Sequence, residues 1–153
     1  MSEQTTDGWQ SNGKHLERFE PPDIFHSRVR GDVDAPDILE THKRILRYTR
    51  ELGRPLFWVA DLSQVGRILP AARRVDTPAL ELRALVIVGA SFQQRVVVTL
   101  GITAHRILFR RLLSMPIEFC ATEADARAWC ECERAKAAPS GAGAARANSP
   151  GTR

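Results

Sequence analysis

Residues 57–68 read FWVADLSQVGRI, and LPAARR follows at 69–74. With Pro55-Leu56 ahead of them, Phe57 to Ala60 make a continuous apolar run of strand length. A run without alternation marks a central strand covered on both faces. It ends at Asp61-Leu62-Ser63, passes Gly66 and reaches Leu69-Pro70. Proline suits the first turn of a helix, where its missing N–H has no intrahelical partner to lose. A short helix near 69–75 is therefore predicted.

Upstream, HLERFE and DIFHSRVRG flank Pro21-Pro22 and read as two antiparallel strands joined by a turn. In the second, Phe25 and Val29 point one way and His26, Arg28 and Arg30 the other, as in a strand near a sheet edge with one wetter face. Asp34 then offers a helix cap, with Pro36 in the first turn and Asp37 placed for a capping box. The helix over 35–52 sets Ile38, Leu39, Ile45, Leu46, Tyr48 and Leu52 on one face, with His42 among them as a structural histidine. Gly53 ends it.

Downstream, ALVIVG (84–89) reads as a second central strand and residues 91–113 as the longest helix, with Ser91 at its N-cap. PIEFC (116–120) alternates as a half-buried strand, and Thr122 with Asp125 caps a last helix, 123–135. The order is β-β-α-β-α-β-α-β-α, an α/β single domain with a mixed, mostly parallel sheet. Residues 1–13 read as a disordered leader, 14–135 as the domain, and 136–153 as a disordered Ala/Gly/Ser/Pro tail.

This order, with FWVADLSQVGRI after the first helix and EADARAWCE in the last, resembles the STAS fold of sulfate-transporter tails and anti-sigma-factor antagonists. It is most similar to the small stand-alone bacterial branch, over about residues 14–133. The resemblance implies a regulatory, non-enzymatic module that works by protein–protein contact. In the antagonist branch a partner kinase phosphorylates a serine at the strand-to-helix turn, where helix N–H groups and the dipole receive the phosphate. Here that turn falls at Leu69-Pro70-Ala71-Ala72, which carries no hydroxyl. Ser63 lies upstream, where Asp61 would oppose an added phosphate.

Composition narrows the function classes. The 153-residue chain is 43% apolar and 26% charged, with a formal net charge of +4. Its charges are spread along the chain, without the basic block of a nucleic-acid reader. Three cysteines, Cys120, Cys130 and Cys132, are too few and too clustered for a disulfide framework. The N-terminus lacks the layout of an export signal, and no apolar run approaches the ~20 residues of a membrane span. A cytoplasmic setting is expected.

No reaction motif emerges, and neither cofactor nor metal is expected. VGASFQ (88–93) places Ser91 after a strand, but Gln93 stands where a hydrolase elbow needs glycine. His105 lies about 20 Å further along the same helix. Cys130 and Cys132, two apart, fall on nearly opposite sides of a helix, while Trp129 and Cys130 share a core face with Ala126.

The long helix is apolar around most of its circumference, with Arg95, Thr99, Thr103, Arg106 and Arg110 in a narrow polar stripe. Three readings compete: burial within the core, a homodimer face, or contact with lipid. The arginines follow a stripe of their own instead of flanking the apolar face, which argues against lipid. The candidate partner-binding residues are Ser63, Leu69, Pro70 and Arg73 at the turn, with Arg95, Arg106 and Arg110 on the helix. The alternative function is a carrier for a small apolar ligand or lipid. It calls for an apolar cavity of a few hundred Å3 between the sheet and the long helix.

Overall fold

Asp34 opens the first helix as its sequence requires. Its carboxylate accepts from Ala35 N (2.8 Å), and Asp37 reaches back to Asp34 N (2.8 Å), closing the capping box. Gly53 ends the helix in the left-handed conformation, φ 65°. In this computed structural model, residues 8–75, 80–108 and 115–138 are described. They form β1 (Gln10–Asn12), β2 (His15–Glu20), β3 (Ile24–Val33), α1 (Ala35–Leu52), β4 (Leu56–Ile68), α2 (Pro70–Arg73), β5 (Leu82–Val88), α3 (Phe92–Leu108), β6 (Ile117–Cys120) and α4 (Glu123–Ala137).

Strand order along the sheet repeats strand order along the chain, β1 to β6. The β1–β2 and β2–β3 pairs are antiparallel, and β3–β4, β4–β5 and β5–β6 are parallel. This is the mixed, mostly parallel α/β sheet expected, with one strand more. Gln10–Asn12, assigned by sequence to the disordered leader, pairs with Glu17, Leu16 and His15. Three residues are too few to show a period, and what holds them is side-chain chemistry. Trp9 is buried with the guanidinium carbons of Arg18 and Arg28 at 4.4 and 4.3 Å from its ring, and His26 meets it edge-on.

Alternation divides the core between the two faces of the sheet. Ile24, Phe57, Val59, Val86 and Val88 meet Ala126, Cys130 and Trp129 of α4. Phe25, Leu56 and Leu82 meet Ile45, Tyr48 and Leu52 of α1. β3 lies third in the sheet, not near its edge, and its polar face is covered by complementary charge. Arg28 makes a bidentate pair with Glu123 of α4 (2.8 and 3.0 Å), and His26 Nδ1 lies 3.0 Å from Glu20. Arg127 and Arg18 close on the same Glu20, whose pKa the Arg127 guanidinium holds far below the usual carboxylate range. Asp23, fully buried just ahead of β3, accepts from Arg134 (2.7 Å).

Three further expectations are corrected. Leu39 is 54% exposed, because α1 turns Thr41, His42, Ile45 and Thr49 inward instead. β4 continues past Leu62 to Ile68, paired with β3 as far as Val33, whereas β5 reaches only Asp61. That two-stranded extension lacks the composition of a core strand because much of it faces water. Arg67 fastens it to Asp32 through its N–H (2.8 Å) and guanidinium (3.0 Å), and a Cβ at Gly66 would fall 2.9 Å from the Gly31 carbonyl carbon.

The last correction concerns α3. It is capped as expected, with Gln94 N donating to Ser91 Oγ (3.2 Å) and Ser91 N to Gln94 Oε1 (2.7 Å). Burial within the core does not follow: Phe92 is 80% exposed, Val97 62% and Leu100 64%. Val98, half-buried beside the space between α1 and the sheet, faces inward, while Phe92, Val97 and Leu100 face away from it.

Candidate functional site

Between the sheet and α1 lies a cavity of about 340 Å3. Its floor is β3 (Ser27, Val29, Val33), β4 (Trp58, Ala60, Leu62, Val65, Ile68) and β5 (Leu85, Ile87). Ile38, Thr41 and His42 of α1 form one wall, Ala72 and Arg73 of α2 another, and Val98 of α3 closes a side. The space follows from local sequence. Ala60, Ala72 and Ser27 are small where larger residues would meet across it, and α2, with four residues, is too short to cover the sheet beside α1.

One end of the cavity is polar, and its groups hold each other. Asn12 Nδ2 donates to Glu17 (3.1 Å), Thr41 (3.1 Å) and the Asp37 carbonyl (3.0 Å). Thr41 donates to Glu17, and Arg44 pairs with the other Glu17 oxygen at 2.9 Å. His15 Nδ1 accepts from Arg30 N (3.0 Å), and its Nε2 lies 3.2 Å from Asp37 without forming a hydrogen bond among the described residues. Ser27 Oγ accepts from Trp58 Nε1 at 2.9 Å. His42 stands edge-on to Trp58, ring centroids 6.2 Å apart, and burial pushes its pKa below the ordinary histidine value.

The candidate residues from sequence divide between places. Arg73 lies on the cavity wall and donates Nε to the Ile68 carbonyl (3.0 Å). Leu69 is the N-cap of α2, without a side-chain cap bond, and its N–H donates to the Val33 carbonyl (3.0 Å). Pro70 follows as the exposed first residue of that helix. Ser63 belongs to the α4 side of the sheet, in a separate polar depression with Arg28, Arg30, Asp61, Gln64 and Glu123. It packs against Gly89, φ 67°, where a Cβ would come within 2.9 Å of its own. Ser63 and Arg73 therefore do not share a surface.

Arg95 lies over the Phe119 ring at 5.5 Å and donates to the Ala90 carbonyl (3.2 Å). Arg106 falls within α3, but its side chain lies outside the description, and Arg110 lies outside the described residues. Sequence reasoning missed Val33, Val65 and Ile68 as residues of the cavity floor. The available signal was apolar Val65 and Ile68 persisting beyond Ser63, in a stretch read as a turn. Among the described residues no group of three or more His, Cys, Asp and Glu could hold a metal ion. None of their helices is long and apolar enough to cross a membrane.

No protein-family model matches the chain. No curated protein matches it either. Among solved structures it is similar to the crystal structure of an uncharacterized protein of the DUF3478 family from Shewanella loihica, described as having a SpoIIAA-like fold. The TM-score is 0.55 at 13% identity, over 74% of this chain and 89% of that one. With its sequentially ordered mixed sheet flanked by helices on both faces, the chain has a SpoIIAA-like fold, the STAS-like fold of anti-sigma-factor antagonists.

Proposed function

We propose that the protein binds a small, largely apolar molecule in the cavity between the sheet and α1, without chemical turnover. The observation that supports this is the cavity itself, about 340 Å3 and walled mainly by aliphatic side chains and Trp58. Ligand sites typically span ~300–1,000 Å3 and combine an apolar lining with a few placed polar groups. Here Val29, Ile38, Leu85, Ile87 and Val98 supply the lining. Binding without turnover fits a wall whose acidic groups are already engaged, Glu17 by Asn12, Thr41 and Arg44 and Asp37 by the Asp34 N–H.

Methyl NMR of the full chain titrated with butylbenzene tests the reading. Shifts at Val29, Ile38, Leu85, Ile87 and Val98, with Val59 and Val86 beneath α4 silent, are expected. An unchanged spectrum, or shifts confined to Val96, Val97 and Leu100, refutes it.

A second reading keeps the module regulatory and protein-binding, as in antagonists of this fold. It is favoured by the exposed apolar residues Phe92, Val97 and Leu100 of α3. Arg95, Arg106 and Arg110 on the helix, with Leu69, Pro70 and Arg73 at the turn, are its candidate contact residues. Ser63 would contribute from the other face, and no phosphate would be received at Leu69-Pro70. Light scattering after size exclusion tests its homodimer form: a monomer at all concentrations removes that form, and Phe92→Ser, Val97→Ser and Leu100→Ser together should dissociate a dimer.

A further inference from the structure

We propose that the ligand is an amphiphile with an uncharged hydrogen-bonding head, a hydroxyl or carbonyl, and that His42 holds this head. The inference rests on the ligand-binding reading of the cavity given above. It follows from how hydrogen bonds are distributed around the wall. Glu17 is engaged by Asn12, Thr41 and Arg44, Asp37 by the Asp34 N–H with His15 beside it, and Trp58 by Ser27. Arg73 gives its Nε to the Ile68 carbonyl.

His42 differs from all of these. It is 94% buried, its Nδ1 has no hydrogen-bond partner among the described residues, and, unlike His15 Nε2, which faces Asp37 at 3.2 Å, it has no charged group of those residues paired with it. Buried polar side chains in native proteins almost always have a partner, and an unmade bond lowers stability. A ligand head is the partner that the ring's place in the cavity wall provides for. The neighbouring Trp58 offers its ring edge-on and its N–H is committed to Ser27, so it does not fill that role.

The head's charge follows from the surroundings. Burial favours the neutral imidazole, and a hydroxyl, able to donate or accept, can pair with its Nδ1 in either tautomer. A carboxylate would add a third carboxyl group to a cavity that already contains Glu17 and Asp37, and Arg44 is already paired with Glu17. Size sets the rest of the molecule. The volume, about 340 Å3, lies at the small end of the ~300–1,000 Å3 typical of small-molecule sites, and phenylbutanol is a probe suited to that size.

Calorimetric titration of the full chain with butylbenzene, phenylbutanol and phenylbutyrate separates the possibilities. The alcohol should bind about five- to tenfold more tightly than the hydrocarbon, the usual worth of one hydrogen bond, and more tightly than the acid. His42→Phe should erase the advantage of the alcohol while leaving butylbenzene binding intact. His42→Asn, which places an amide near the Nδ1 position, should restore part of it. Nitrogen NMR of the imidazole rings in the unaltered protein gives a measurement that no folding defect can confuse: the His42 resonances should move with phenylbutanol and stay still with butylbenzene. Equal affinity for alcohol and hydrocarbon, or an advantage that survives His42→Phe, overturns the role of His42 while the cavity reading stands. Preference for the acid, lost in Arg73→Gln, overturns the uncharged head. Failure of all three probes to bind overturns the cavity reading and this inference together.

Discussion

Ala60→Leu turns the cavity into a question of sign. Ala60 sits on the cavity floor in the middle of β4, paired with Ser27 of β3 and Ile87 of β5, and is 5% exposed. Leucine adds three carbons on that side. At about 0.8 kcal/mol per buried methylene, their full burial contributes about 2.4 kcal/mol. Fixing the leucine rotamer takes back about 0.5–1 kcal/mol. The net gain is about 1.5 kcal/mol, an upper value because the unfolded chain already hides part of its apolar surface. For a chain of this length that raises Tm by about 3–6 °C. Were the space filled instead, the same substitution would overpack the core and cost about 1–3 kcal/mol. Scanning calorimetry with urea denaturation reads the difference, and butylbenzene affinity should fall in parallel. A melting temperature lowered by several degrees would refute the argument that open volume lies beside Ala60.

Three other outcomes follow from the packing. Trp9→Ala removes a buried ring held between two guanidinium groups and should cost about 3–5 kcal/mol, in line with large aromatic truncations; a loss under ~1 kcal/mol in urea denaturation would show that β1 adds little. Stability should decline on acidification in two stages. Burial sets the folded pKa of His26 and His42 below 6.5, so from about pH 6.5 downward the unfolded chain takes up protons that the native state refuses. Below about pH 5, Glu20 and Glu123, held low chiefly by Arg127 and Arg28, add their loss as pH falls towards their folded values. Equal urea midpoints at pH 7.5 and 5.5 would contradict the histidine part. Finally, a thiol reagent should modify Cys132 rapidly and spare Cys120 and Cys130 until the chain unfolds. Both are buried, and burial pushes the Cys130 thiol up to about 12; fast modification of all three under native conditions would speak against this packing.

Elements with strong local signals were legible in the sequence. Asp34, Pro36 and Asp37 set the start of α1, Gly53 its end, and Ser91 and Thr122 cap the helices they were expected to cap. The unbroken apolar runs at Leu56–Ala60 and Leu85–Val88 became the sheet's interior strands. What stayed hidden depends on tertiary partners. Trp9 and Gln10–Asn12 have no periodicity, and their order comes from Arg18, Arg28 and His26, distant or shared groups that no local window contains. Arg28 and His26 looked like a wet edge because the carboxylates that cover them, Glu123 and Glu20, lie elsewhere in the chain. The cavity was the least legible feature. Each of Ser27, Ala60 and Ala72 is unremarkable by itself, and only their convergence beneath a four-residue helix leaves space. His42 was read as structural because an unpaired ring nitrogen has no sequence signature.

The agreement between chain order and sheet order bears on how the protein assembles. A nascent chain emerging N-terminus first adds each strand to a border already laid down, and none has to be threaded between two earlier neighbours. β2 and β3 zip across a two-proline turn, and every later strand needs only one helical crossover to reach its place. Growth of this kind keeps few apolar surfaces waiting for partners still to be synthesised, which limits the window for intermolecular mispairing. At the two ends of the sheet, the three residues of β1 and the four of β6 are too short to template a foreign strand.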